Sequence, residues 1–315
     1  MKRLVLLGIS VAILAVIYRR VDPGAILAVL KNAAPGPLAA AAFLLAATTL
    51  LSAARLNILL PRERRLGLGT SLRLILAAGV LNLVLPARGG DLLKSLFMRR
   101  HGRISGTLAA ALVVFEKTTD MLALMVWCAA GLALRFEDEP FFRAMLAVVV
   151  AGLAAGIALL ASPRLADIMF ALALRPATGA MADRLRALRG SWHEMHALFW
   201  RARPACVMTM ALSMLIWFLH LLQFRLMARA LGAPIPMMVT LALVPLAILA
   251  GLIPLTLAGI GTRDAALIAL LRAYMSPATG AALGVLATLR YILPALAGLP
   301  SLQRYLGELG SARAR

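Results

Sequence analysis

An all-α polytopic membrane protein, with six full spans plus two re-entrant hairpins arranged as an inverted-topology repeat, is the fold class this sequence predicts. Three observations lead to it. The 315 residues are 62% hydrophobic, well above the roughly 45–50% of soluble domains, and the mean hydropathy is +0.91. The apolar residues fall in runs near the roughly 20 residues a helix needs to cross a bilayer. Two further runs break at glycine, proline and charge: LNLVLPARGGD at 81–91 and LIPLTLAGIGTRD at 252–264.

The net charge of +20 would point to nucleic acid in a soluble protein. Here the arginines cluster in short segments between apolar runs, where they act as topology signals and lipid anchors, so no nucleic-acid partner is expected. The first run, 4–18, has the charged start of a signal peptide, but Tyr18, Arg19 and Arg20 offer no small-residue cleavage site, and it reads as a retained span. The other full spans are 37–60, 104–134, 140–161, 205–228 and 277–300, and 68–86 and 237–257 run into the two breaks. Lys2 and Arg3 place the N-terminus in the cytoplasm, and so does the loop at 61–65 for the second span. Basic residues on both sides of the first break, with Lys94, Arg99, Arg100 and Arg103 after it, make 68–103 a hairpin that enters and returns on the cytoplasmic side. Non-helical backbone at that depth must be buried in protein or line a watery cavity.

The acidic segment Glu137-Asp138-Glu139 suits the outside, and the arginine-rich stretch 162–204 suits the cytoplasm. Leu185, Leu188, Trp192, Met195 and Phe199 recur there at three- and four-residue steps, the pattern of an amphipathic surface helix. Arg304, Arg313 and Arg315 then leave the C-terminus in the cytoplasm. One transmembrane domain is expected: first span and loop (1–36), repeat one (37–134), a connecting span with the basic segment (135–204), repeat two (205–300) and a tail (301–315). Each repeat reads span, hairpin, span. Arg55 corresponds to Arg225 at an offset of 170 residues, and Asp91 to Asp264 and Lys117 to Arg290 at 173. A single crossing between the repeats inverts the second, an architecture of secondary transporters whose site lies where the halves meet.

Candidate site residues are the charges and glycines at depth. Glu116, Lys117 and Asp120 begin about 18 Å into their span, where each Asp or Lys costs about 2.5–3.5 kcal/mol on insertion scales and must pair or face a cavity. Lys117 can pair with Asp120 three residues on, and Arg290, also mid-span, is expected to meet an acid such as Glu116, Asp120 or Asp264. Structural ion pairing between the halves is the alternative for this set, and Arg55, Arg225 and Arg229, near span ends, are as readily explained by snorkelling. Asp91 and Asp264 each follow a glycine turn and open a helical run, which fits helix capping. It also fits a cavity-facing helix N-terminus, flanked by Arg88 and Gly89-Gly90 or by Gly259, Gly261, Thr262 and Arg263, that would bind a phosphate or carboxylate headgroup. Asp91 and Asp264 are expected to approach one another across the shared cavity. His193 and His196 do not form a zinc-protease motif, and Cys128 and Cys206 lie singly in apolar runs. No metal, cofactor or phosphate-binding loop is expected.

Asn82 with Pro86-Ala87-Arg88-Gly89-Gly90-Asp91, then Glu116-Lys117-x-x-Asp120, then Pro254 followed by Gly259-Ile260-Gly261-Thr262-Arg263-Asp264 make the sequence resemble the transmembrane, flippase-like domain of lysylphosphatidylglycerol synthases and its free-standing relatives. It departs mildly from that pattern at Lys117, where arginine is as common, at Ala258, where a second glycine is common, and at Asp264, where glutamate is usual. The 315 residues hold no counterpart of the synthases' aminoacyltransferase domain. The resemblance therefore implies moving a lipid rather than making one, without catalytic residues. The expected function is a flippase-like transporter for membrane lipids with an anionic or zwitterionic headgroup. The alternatives are an intramembrane lipid-modifying transferase and an accessory subunit of a lipid pathway.

Overall fold

A computed structural model describes residues 21–84, 90–136, 139–201, 203–252 and 261–311. The expected first span, 4–18, and the tips of both breaks lie outside these. The described residues hold twelve α-helices and no strand: α1 (Pro23–Lys31), α2 (Pro35–Leu59), α3 (Leu68–Val84), α4 (Gly90–His101), α5 (Gly106–Arg135), α6 (Pro140–Ala161), α7 (Pro163–Leu174), α8 (Gly179–Arg201), α9 (Arg203–Ala230), α10 (Met237–Leu252), α11 (Thr262–Leu270) and α12 (Pro277–Ser311).

Local chemistry sets the boundaries. Proline opens α2, α6, α7 and α12, where its missing N–H costs nothing because the first turn has no acceptor for it. Asp22 caps α1 by accepting from the Gly24 N–H at 2.9 Å, Ser105 caps α5 through the Leu108 N–H at 3.0 Å, and Ser162 caps α7 through the Leu165 N–H at 3.3 Å. Gly261 has a φ of 102° at the start of α11, a conformation glycine adopts without steric cost.

Pro35–Leu59, Pro140–Ala161, Pro204–Ala230 and Pro277–Gly307 are the four described helices long and apolar enough to cross a membrane. The 30-residue α5 is longer than three of these, but Glu116, Lys117 and Asp120 interrupt its middle. The two expected hairpins are each a pair of shorter packed helices, α3 with α4 and α10 with α11.

Much of the helix packing follows an exchange rule, from which the contacts of α9 with α5 and α12 depart. If α2, α3, α4 and α5 are matched with α9, α10, α11 and α12, the contact of α3 with α12 becomes that of α10 with α5, and both exist. The contact of α2 with α9 maps onto itself, and α2–α3, α3–α4 and α4–α5 map onto α9–α10, α10–α11 and α11–α12. Both cross-seams are tight. A Cβ on Gly131 of α5 would overlap the backbone of Leu241 and Ala242 in α10, and one on Gly298 of α12 would overlap the Leu76 carbonyl in α3.

The buried apolar side chains form two clusters. One gathers α10 and α11 with Leu124–Leu132 of α5, Leu221–Ala228 of α9 and Ala281–Ala287 of α12. The other gathers α3 and α4 with Leu56–Leu59 of α2, Ala109–Leu122 of α5 and Ala295–Tyr305 of α12. The switch from one to the other falls between Ala287 and Ala295 on α12, where Arg290 sits, and just past Asp120 on α5.

The expected amphipathic segment forms two helices, α7 and α8, packed together, with α8 against α5 through buried Trp192 and Met195. Asp167 of α7 accepts from Arg189 at 2.7 Å and bonds His193 at 2.8 Å. These two bonds, that from His193 first, hold its carboxyl below the ordinary 3.8. A lowered folded-state pKa contributes stability that is present above the ordinary value and lost as pH falls through the folded one. Amide exchange in α7 is therefore expected to quicken relative to α12 below about pH 4, and an Asp167→Asn variant is expected to show no such difference.

Candidate functional site

The buried charges are organised by α5. Glu116 is 3% exposed and Asp120 lies one turn on. Arg55 of α2 donates to Glu116 at 2.8 Å and to both carboxylate oxygens of Asp120, and it also reaches the Ser213 hydroxyl of α9 at 2.6 Å. Lys94 of α4, buried like Arg55, takes the other oxygen of Glu116. Ser213 in turn donates to Thr119 at 3.1 Å. One carboxylate between two cations, both partnered and hydrogen-bonded, meets the conditions under which charge can be buried. Lys117 points away from this knot and pairs with Asp91 of α4 at 3.1 Å.

These groups line a cavity of about 220 Å³ between α2, α3, α4, α5, α9 and α12. A second hollow of similar volume continues from it along α2, α3 and α12, and its walls include Leu45, Leu76, Leu83 and Pro294. Ser52, Ile75, Gly79, Asn82, His220, Arg290 and Tyr291 belong to both. The result is one space with a charged lobe and an apolar lobe, and the shared polar residues mark the junction.

Among the described residues Arg290 does not meet an acid. It is 5% exposed and bonds Gln223 of α9 at 3.4 Å and the Tyr291 hydroxyl at 3.1 Å, with its guanidinium over the rings of Phe224 at 4.8 Å and Tyr291 at 5.1 Å. Gln223 is held in place by its other end, which donates to the Ala41 carbonyl at 2.8 Å.

The second break is built differently. Arg263 folds back on its neighbour, donating from Nε and Nη2 to Asp264 at 2.9 and 2.7 Å, and also reaches Thr288 at 2.8 Å and the Gly284 carbonyl at 3.2 Å. Asp264 accepts from the Gly261 N–H at 3.1 Å, so it caps α11 from inside the first turn rather than ahead of it. Both side chains are buried, and they tie α11 to α12; of the two acids expected to face one another, Asp91 lines the cavity and Asp264 is absent from its described walls. Thr262 is half-buried at the start of α11. Gly90 lies against α3, where a Cβ would overlap the Ala78 carbonyl. Arg88, Gly89 and Gly259 lie outside the described residues.

Sequence reasoning passed over Arg55, Lys94, Ser213, Gln223 and His220. Arg55 reads as a snorkelling end residue and Lys94 as a topology marker, yet both are 2–3% exposed. The available signal was helical: Lys94 lies three residues from Asp91 on α4, the same face. No group of three metal-binding side chains occurs among the described residues.

The model of the family described as the lysylphosphatidylglycerol synthase TM region matches residues 3–298. The chain belongs to this family. The match runs through all twelve described helices, ending inside α12, so the charged knot, both breaks and the cavity fall within the lysylphosphatidylglycerol synthase TM region. Membership points to a membrane protein with a lipid-related role. No match was found among curated proteins or among solved structures.

Proposed function

We propose that this protein is a flippase-like lipid transporter of the bacterial inner membrane, carrying a polar headgroup between leaflets through the cavity while the acyl chains stay in lipid. The observation that carries this reading is the two-lobed space: a charged lobe enclosed by helices of both quartets, continuous with an apolar lobe along α2, α3 and α12. An amphiphile has that division of character. Family membership in a lipid-related transmembrane region supports it. The exchange rule in helix packing supports reading the two quartets as inverted repeats, with six crossings, re-entrant hairpins and cytoplasmic termini, the plan on which alternating access operates. Asp91 and Lys117, on the half-exposed side of the lobe, would meet the headgroup first. Arg88 and the hairpin amides would assist, and Arg263 with Asp264 would hold α11 against α12. No bond in the lipid would be made or broken.

Reconstituted into liposomes with a fluorescent lipid, the protein is expected to move label between leaflets without chemical change. Asp91→Asn, which removes the charge that Lys117 pairs with on α4, is expected to slow this at least about tenfold, the loss of one charge-assisted hydrogen bond, while retaining the elution profile of the folded protein. Conversion of the lipid would favour a transferase, and unchanged transport in Asp91→Asn would remove the site assignment. Topology can be mapped by single-cysteine labelling after replacement of the two buried native cysteines, Cys128 and Cys206.

A further inference from the structure

We propose that the cavity selects its lipid by the negative charge of the phosphate, that Arg290 is the residue that anchors it, and that a headgroup of net positive charge is disfavoured. This rests on the reading of the cavity as a lipid path. Each carboxylate on the described walls of the charged lobe already has a cation from the chain: Glu116 has Arg55 and Lys94, Asp120 has Arg55, and Asp91 has Lys117. A cationic headgroup would have to displace one of these from a buried or half-buried pair. The described lining holds four such cations, Arg55, Lys94, Lys117 and Arg290, against three carboxylates, and the surplus positive charge resides on Arg290.

Arg290 has the attributes of an anion anchor. Among the described residues it bonds only the neutral groups of Gln223 and Tyr291, two bonds from a fork of five N–H donors. The aromatic faces of Phe224 and Tyr291 steady the guanidinium without neutralising it. A buried arginine without an acid is costly inside a membrane, and a phosphate diester supplies both the charge and the paired oxygens that a guanidinium fits. Its position is equally telling. Arg290 belongs to both lobes, at the junction between charged and apolar walls, and in a phospholipid the phosphate lies between headgroup and glycerol in the same way. Two buried donors on residues of the charged lobe, Arg55 Nε and Trp217 Nε1, have no hydrogen-bond partner among the described residues. They suit an acceptor-rich ligand.

The test uses the full chain in liposomes containing, in parallel, acyl-labelled phosphatidylglycerol, phosphatidylcholine and O-ethylphosphatidylcholine. The last two differ only in that the ethyl group removes the phosphate charge. Phosphatidylglycerol is expected to move fastest and O-ethylphosphatidylcholine slowest, about tenfold or more apart. Arg290→Gln should slow phosphatidylglycerol and phosphatidylcholine alike, bringing both down toward the O-ethylphosphatidylcholine rate, and Arg290→Lys should keep the order. Equal rates for phosphatidylcholine and its O-ethyl form in the wild type, or an unchanged order in a folded Arg290→Gln, overturn the proposal. Should Arg290→Gln fail to fold, the wild-type order and that of Arg290→Lys decide it. If the wild type moves no lipid at all, the transport reading fails. Charge preference is then judged by native mass spectrometry of the detergent-purified protein, where selective retention of phosphatidylglycerol over O-ethylphosphatidylcholine supports the anchor and equal retention overturns it.

Discussion

Replacing Arg55 with glutamine is expected to destabilise the protein by about 3–5 kcal/mol, the range for removing one partner of a buried ion pair. Arg55 is the only described cation in contact with both Glu116 and Asp120. Without it, Asp120 loses its ion-pair partner and Glu116 keeps only Lys94. The effect should appear as a large drop in unfolding temperature in detergent. The same change at Arg186, whose pair with Asp183 has side chains 66% and 74% exposed, should alter stability by less than about 1 kcal/mol. Equal effects at the two positions would mean that the knot on α5 does not hold the helices together.

Valine at Gly298 or Gly131 is expected to be nearly as damaging by a different route. At both positions the first side-chain atom would fall well inside 3.0 Å of a neighbouring backbone, which cannot turn aside as a side chain can. Overpacking costs typically about 1–3 kcal/mol, and more where a helix must shift as a whole. The two glycines lie on the two seams that exchange with one another, α12 on α3 and α5 on α10, so either substitution should loosen one quartet from the other. The readout is trypsin sensitivity between α8 and α9 and the unfolding temperature. Gly307 has nothing within 4 Å of a Cβ, and Gly307→Val should be close to neutral by comparison. Wild-type stability in both Gly131→Val and Gly298→Val would show that the backbones are not in close approach.

Much of the arrangement was legible because the bilayer makes a harsh solvent. Glu116, Lys117 and Asp120 stand out in an apolar run, and proline and glycine mark both breaks. What stayed hidden was partnership. Nothing in a one-dimensional pattern says that Arg55 reaches a carboxylate 61 residues away, and its place near the end of an apolar run offered snorkelling as a sufficient explanation. Arg290 was expected to find an acid because burial of a lone cation is costly. The chain instead surrounds it with an amide, a phenol and two aromatic faces. Arg263 and Asp264 read as cavity-facing because they open a helical run just after a glycine turn, where a helix N-terminus can face an anion. A long arginine side chain can fold back on its neighbour, and that conformational choice is set by α12, through Gly284 and Thr288.

The charged middle of α5 also constrains how the protein can be made. A segment bearing Glu116, Lys117 and Asp120, each costing about 2.5–3.5 kcal/mol at the bilayer centre, is a poor candidate for release into lipid by itself. Its first counter-charge, Arg55, belongs to a helix synthesised earlier, and its second, Lys94, to the helix immediately before it. If α5 crosses the bilayer, α2 and α4 are expected to stay at the insertion machinery until it emerges, and the first quartet would then enter the membrane as an assembled unit.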